Sequence, residues 1–368
     1  MNERKHFLDN IRWITVCIVI IYHIIYMFNN SGVISNINVK GIPIMDSFLI
    51  FVYPWFMCLL FIVSGISSRY SLQKRSGKQF IKDRTQRILI PSVCGIFAYG
   101  WISGLITDKC GDIFAGNGNS IPGFLKYFIY SLMGIGPLWF AHVVFLASLL
   151  LLLIRAIDKD DKLWNVCGKT NYIALALLTI AVWLSSLILN TPLITVYRFG
   201  IYFFMFFLGY FVFSHDEVIE KLKEIAVPMG IIAFAVGIVY TITHYGTVYA
   251  DNAVLNTPFT CIYLWIAVLA ILGLGAKFLN FKNSFTEYMT ANNFSFYVLH
   301  YAIEVTIGYA LVTYLNLPFA LNYILILIGT VILLPILTEI LKRIPIVRRL
   351  ILGIVKKKNN SSKAPSIQ

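Results

Sequence analysis

An aspartate, an arginine and a histidine stand in or just ahead of the first apolar stretch of the chain, FLDNIRWITVCIVIIYHIIYMF at residues 7–28. At 100° per residue on a helix, Arg12 and His23 are about 1100° apart, or three turns plus roughly 20°, so they share one stripe. Asp9 precedes Arg12 by three residues and falls near the same line. The stripe offers a carboxylate and a guanidinium at one end and an imidazole roughly 16 Å further along, at about 1.5 Å per residue. An imidazole, with an unperturbed pKa near ~6.5, can take a proton from a hydroxyl and return it, as a general base does. A guanidinium fork suits phosphate or carboxylate. Ionisable groups within an apolar segment of membrane length are costly and mark faces turned to a protein interior or a water-filled cavity.

Other residues extend this list. Arg84 and Arg87 lie three apart in the basic stretch RYSLQKRSGKQFIKDRTQRILIPS and share a face, where they form either a solvated basic loop or a phosphate-binding patch. Ser64 and Gly65, in FIVSGISS, are small enough to let helices approach closely. Trp139 and His142 open another apolar segment, GPLWFAHVVF; the tryptophan suits a membrane interface, and the histidine would enter to a depth like that of His23. His300 and Glu304 are four apart on one helical face. A carboxylate at that depth needs a partner, and His300 is the nearest candidate. Arg198 stands at a segment end, where snorkelling would place its charge in water. His6, His215 and His244 read as solvated. The six cysteines form no CxxC pair and no metal-type cluster with histidine, so neither a metal site nor a disulfide framework is expected.

The elements that must position these groups follow from composition. The 368 residues are 58% apolar and only 13% charged, with mean hydropathy +0.77. A soluble chain carries about 25% charged residues, so the expected fold is all-α and polytopic in a membrane. A span needs about 20 apolar residues, and ten segments approach that: 11–29, 48–68, 88–107, 137–154, 172–190, 198–213, 226–244, 259–275, 294–314 and 321–341. A further short apolar element near 122–133 suits the interface. With both termini cytoplasmic, 26 of the 30 lysines and arginines fall on the cytoplasmic side, leaving Lys40, Lys109, Lys126 and Arg198. That placement ties the net charge of +13 to an anionic leaflet and argues against nucleic acid. Residues 1–345 form the transmembrane domain. The remainder, 346–368, reads as a basic cytoplasmic tail that begins as an amphipathic segment able to lie on the membrane and ends disordered.

In this ordered set the chain resembles the acyltransferase-3 family of integral membrane acyltransferases. The similar residues are Asp9-Asn10-Ile11-Arg12 with His23 (an Arg-x10-His spacing), FIVSG at 61–65, Arg84, Arg87, Ile90 and Pro91, LWF at 138–140, and FSFYVLH ending at His300. The FLD-x-IR opening and the EI-x-x-RIP ending look closest to the branch containing glucan biosynthesis protein C. The resemblance implies a multi-pass protein of a bacterial cell membrane. It would move an acyl group, acetyl or succinyl, from cytosolic acyl-CoA to a hydroxyl of an extracytoplasmic glycan or glycolipid. It further implies no permanently bound cofactor, with acetyl-CoA or succinyl-CoA as a donor substrate. His23 takes the place of the essential histidine and Arg12 that of the paired arginine, with Arg84 and Arg87 as the basic pair.

On this reading His23 is general base or transient acyl carrier. Asp9 fixes Arg12, while Arg12, Arg84 and Arg87 hold the donor's phosphates. Ser64, Trp139, His142, His300 and Glu304 are candidates for support. A competing class is a transporter or flippase that moves a glycan or lipid-linked sugar without chemistry; it calls for internal repeats and paired broken helices, and none stands out. A structural partner of a glycan-synthesis complex would leave Arg12 and His23 without a purpose. Acceptor, acyl chain, oligomeric state and any soluble partner are not encoded in these patterns.

Overall fold

The first helix is wrapped by others on most of its circumference, which sets the architecture. The structure, a computed structural model, describes residues 5–191, 196–315 and 317–355. The chain opens with α1 (His6–Tyr26), then α2 (Asp46–Val52) and α3 (Phe56–Gln73). Next, α4 (Gly77–Arg84), α5 (Ile90–Gly95) and α6 (Trp101–Gly111) are joined by two π-helical turns, Thr85–Leu89 and Ile96–Gly100. There follow α7 (Gly123–Met133), α8 (Trp139–Ile157), α9 (Lys162–Cys167), α10 (Tyr172–Ser186), α11 (Phe199–Phe211) and α12 (Asp216–Glu224). The last group is α13 (Ala226–His244), α14 (Asn252–Leu255), α15 (Pro258–Phe278), α16 (Ser284–Tyr314), α17 (Phe319–Arg343) and α18 (Pro345–Leu350). No strand occurs among the described residues.

Among the described residues, eight stretches are long and apolar enough to cross a bilayer: His6–Tyr26, Pro43–Gln73, Gly77–Gly111, Gly136–Ile157, α13, α15, α16 and α17. A ninth results if α11 and α12, bent by 102°, count as one broken span. Ten were expected. The segment at 172–190 yields only the 15-residue α10, because the chain leaves the helix after Ser186 and turns through Leu189 at φ 55. The element expected near 122–133 is α7, with Phe124, Leu125 and Phe128 exposed as an interfacial helix requires. The tail beyond residue 355 lies outside the described residues.

α1 packs against α2, α3, α15, α16 and α17. Its start is held by Asn10, which is buried and donates to the carbonyls of Leu279 at 2.6 Å and Phe281 at 2.9 Å. The same amide accepts from the Trp13 indole at 2.9 Å. α16 begins at a capping box, in which the Asn283 side chain accepts from the Thr286 N–H at 2.9 Å and the Thr286 hydroxyl accepts from the Asn283 N–H at 3.0 Å. α3 and α11 meet backbone to backbone. A Cβ at Gly65 would collide with the Phe206 carbonyl, and one at Gly209 with the Ile62 carbonyl.

The loop between α1 and α2 is pinned by Asp46. Its buried carboxylate accepts the Asn30 N–H at 2.9 Å and the Ser31 hydroxyl at 2.5 Å. Two other polar groups depart from expectation. Arg198 does not snorkel: it is 5% exposed and donates to the Leu255 carbonyl and, at 2.7 Å, to Asn256 Oδ1. His215 is not solvated either; it is buried, stacks on Trp164 at 3.8 Å, and bonds that residue's carbonyl at 2.9 Å.

Candidate active site

The side chains that the sequence strung along α1 open into two cavities. A basic cavity of about 780 Å³ is lined by Arg12, Arg84, Arg87, Lys342 and Arg348, together with Ser64 and Ser67. An aromatic cavity of about 820 Å³ is lined by His23, Tyr22, Tyr26, Tyr53, Trp139 and Tyr301. Tyr297 forms part of both walls, and its hydroxyl is hydrogen-bonded to the Pro137 carbonyl. Arg12 and His23 therefore address separate spaces on one helix.

Arg12 bonds both Asp9 and Ser67. One guanidinium nitrogen donates to Asp9 Oδ1 at 3.3 Å and another to the Ser67 hydroxyl at 2.6 Å. Arg84 donates to the Ser68 hydroxyl at 2.7 Å, and its guanidinium lies 5.1 Å over the Phe80 ring. Arg87 sits in the π-turn Thr85–Leu89, a helical irregularity that often marks functional positions. The cause is local: Pro91 has no N–H to give to the Arg87 carbonyl.

His23 and His300 meet in the core. His300 is fully buried, with Nδ1 2.8 Å from the Tyr297 carbonyl and 3.2 Å from the Phe296 carbonyl. Its Nε2 lies 3.2 Å from Nδ1 of His23, which is also 2.9 Å from the Val19 carbonyl. Carbonyls only accept, so Nδ1 carries the proton in both rings. His300 Nε2 then shares that one His23 proton with the Val19 carbonyl in a bifurcated bond, and His23 Nε2 is left as a lone pair with no protein partner among the described residues. The Tyr301 ring lies 4.7 Å from the His23 ring, and the Tyr301 hydroxyl is bonded to Asn36 Oδ1. Asn36 in turn donates to Thr107 at 2.6 Å, so the loop pinned by Asp46, α6 and α16 fix one side of the imidazole.

The expected His300–Glu304 pair is not formed. Glu304 is fully buried, and both of its oxygens lack a hydrogen-bond partner among the described residues. One ligand atom from each of His23, His300 and Glu304 falls within 4.8 Å of the others. These donor types would suit a divalent cation, but the facing ring nitrogens already bond each other, so the geometry reads as a hydrogen-bonded dyad with a carboxyl beside it. Of the other candidates, Ser64 borders the basic cavity and Trp139 the aromatic one. His142 lines neither and lies 3.3 Å from the Tyr197 hydroxyl. Ser67, Tyr297, Tyr301, Asn36, Lys342 and Arg348 were not singled out from sequence. Their types are common, and only the tertiary contacts mark them.

Residues 5–339 match the family described as an acyltransferase domain, Acyl_transf_3. The chain belongs to the acyltransferase-3 family. It is an acyltransferase and, with its run of long apolar helices, a multi-pass membrane protein. No match was found among curated proteins or among solved structures. The matched part of the acyltransferase contains Arg12, His23, Arg84, Arg87, His300 and Glu304. Lys342 and Arg348 lie just past its end.

Proposed function

We propose that this acyltransferase moves an acetyl or succinyl group from acyl-CoA to a hydroxyl of a glycan or glycolipid on the far side of a bacterial cytoplasmic membrane. Its termini face the cytosol, as the distribution of basic residues requires. The observation that carries this reading is the pair of cavities at different depths of α1, one walled by arginines and the other by the imidazole.

The donor's phosphates belong with Arg12, Arg84 and Arg87, with Asp9 and Ser67 holding the Arg12 fork in place. The thioester arm passes Tyr297 toward His23. The acceptor occupies the aromatic cavity, where flat rings with polar tips match the two-faced surface of a sugar and Asp251 adds a carboxylate. His23 Nε2 takes the hydroxyl proton as the oxygen attacks the thioester carbon. The C–O bond forms, the C–S bond breaks, and the proton passes to the departing thiolate, leaving an ester and a free thiol. His300 keeps the His23 lone pair aimed at the acceptor and steadies the imidazolium. The FLD-x-IR and EI-x-x-RIP sequences favour the glucan biosynthesis protein C branch, with acetyl and succinyl both kept as the transferred group.

Mass spectrometry of surface glycans from a deletion strain tests the reading. A missing acetyl or succinyl mass, restored by the wild-type gene and not by a His23→Ala gene, is expected. Glycans of unchanged mass would refute it.

A further inference from the structure

The basic cavity has a wall supplied by the end of the chain. Lys342 lies in the last turn of α17, Arg348 lies in α18, and residues 352–354 run along the cavity. The sequence pattern suggested an amphipathic stretch resting on the membrane, yet Leu352 is only 2% exposed. The docking rests on an identifiable contact. Pro91 leaves the Arg87 carbonyl without its helical donor, and the chain at Gly353 packs directly on that carbonyl and on the Pro91 ring. A Cβ at Gly353 would stand 2.5 Å from the Arg87 oxygen and 3.0 Å from Pro91 Cγ. Gly353 also holds φ +64, in the left-handed region that favours glycine.

The charge in the cavity is one-sided. Arg12, Arg84, Arg87, Lys342 and Arg348 line it, and no carboxylate among the described residues does. Lys342 is paired with Glu339 at 2.6 Å. Arg348 makes no ion pair among the described residues; it donates to the Lys342 carbonyl at a long 3.5 Å, and its buried Nε has no partner. Its short helix directly follows the last apolar span, Phe319–Arg343.

We infer that residues 345–354 complete the donor site, with Arg348 gripping the phosphate farthest from the reacting carbonyl, the 3′-phosphate of coenzyme A, and the turn at Gly353 holding the segment in place. This rests on acyl-CoA being the donor. A lipid headgroup phosphate offers the same chemistry, and the experiment separates the two.

The full chain is purified into nanodiscs of phosphatidylcholine alone, and binding of coenzyme A and of dephospho-coenzyme A is measured by calorimetry. Arg348→Ala should weaken coenzyme A binding about tenfold, the scale of one charge-assisted hydrogen bond. Wild type should prefer coenzyme A over its dephospho form by a similar factor, and Arg348→Ala should erase that preference. Arg348→Lys should retain part of it, and Gly353→Ala, which leaves Arg348 present, should weaken binding. Should Arg348→Ala prove poorly folded, Arg348→Lys and Gly353→Ala decide. Undiminished preference for coenzyme A in the well-folded variants overturns the inference. So does an Arg348→Ala protein that binds coenzyme A normally but loses co-purified anionic phospholipid. A wild-type protein that binds no coenzyme A at all would overturn the donor reading itself.

Discussion

The Nε2 of His300 lies 3.2 Å from the Nδ1 of His23, although 277 residues separate them in the chain. In the proposed mechanism the contact makes His300 a positioning residue, since its own Nδ1 is committed to the Tyr297 carbonyl. His300→Ala should lower kcat by on the order of tenfold to a hundredfold, the range for groups that orient a reacting residue. His300→Gln should restore part of the rate, because an amide can still accept from His23. Equal kcat in wild type and His300→Ala would remove this role.

His23 itself should be indispensable. His23→Ala and His23→Asn are expected to lower acyl transfer by about 10²- to 10⁴-fold, the usual contribution of a general base. Membrane levels and coenzyme A affinity should be unchanged. Acid-quenched protein, digested and examined by mass spectrometry, should carry no acyl group on the peptide containing His23. An acylated peptide formed at the rate of turnover would instead establish a two-step transfer.

Arg12→Lys keeps the charge but replaces a fork by a point. The two bonds to Asp9 and Ser67 cannot both be kept at 3.3 and 2.6 Å by one ammonium on a shorter head. A rise of at least about tenfold in KM for acyl-CoA is expected, with a smaller rise for Ser67→Ala. Unchanged dependence on donor concentration in Arg12→Lys would count against donor binding here.

Glu304 places in the core a carboxyl with no hydrogen-bond partner among the described residues. Burying such a group costs about 1–3 kcal/mol. Glu304→Met should therefore raise the thermal midpoint while lowering activity, the pattern of a group retained for function at a cost in stability. A fall in the midpoint would mean that Glu304 has a stabilising partner.

Gly65→Val tests the α3–α11 contact. The added side chain meets the Phe206 carbonyl, and overpacking of this kind costs about 1–3 kcal/mol or more. Reduced membrane levels and a lower midpoint are expected, with donor affinity intact in the protein that does fold.

Much of this was legible in one dimension. The stripe of Asp9, Arg12 and His23 is set by helical periodicity, so any helix over those residues aligns them. The apolar segments were legible for the same reason, because bilayer thickness fixes their length. Segments 172–190 and 198–213 were less so: hydropathy does not register a positive φ at Leu189 or a 102° bend before α12. Partners across helices were not legible. His300 looked paired with Glu304 because they are four apart, and only the approach of α16 to α1 turns it toward His23 instead. Arg348 was read by its charge alone, whereas its location goes with the packing of Gly353 on Arg87 and Pro91, more than 250 residues earlier.

Tyr297 borders both cavities, so the wall between the two compartments includes that one side chain. An enzyme that works as proposed must pass an acyl group there while refusing protons and ions driven by the membrane potential. The bulk of one phenol, tethered by its hydroxyl to Pro137, is then a seal as much as a wall. Shaving it to glycine should reveal itself in the cell's energetics, as a depolarised membrane, before any glycan is weighed.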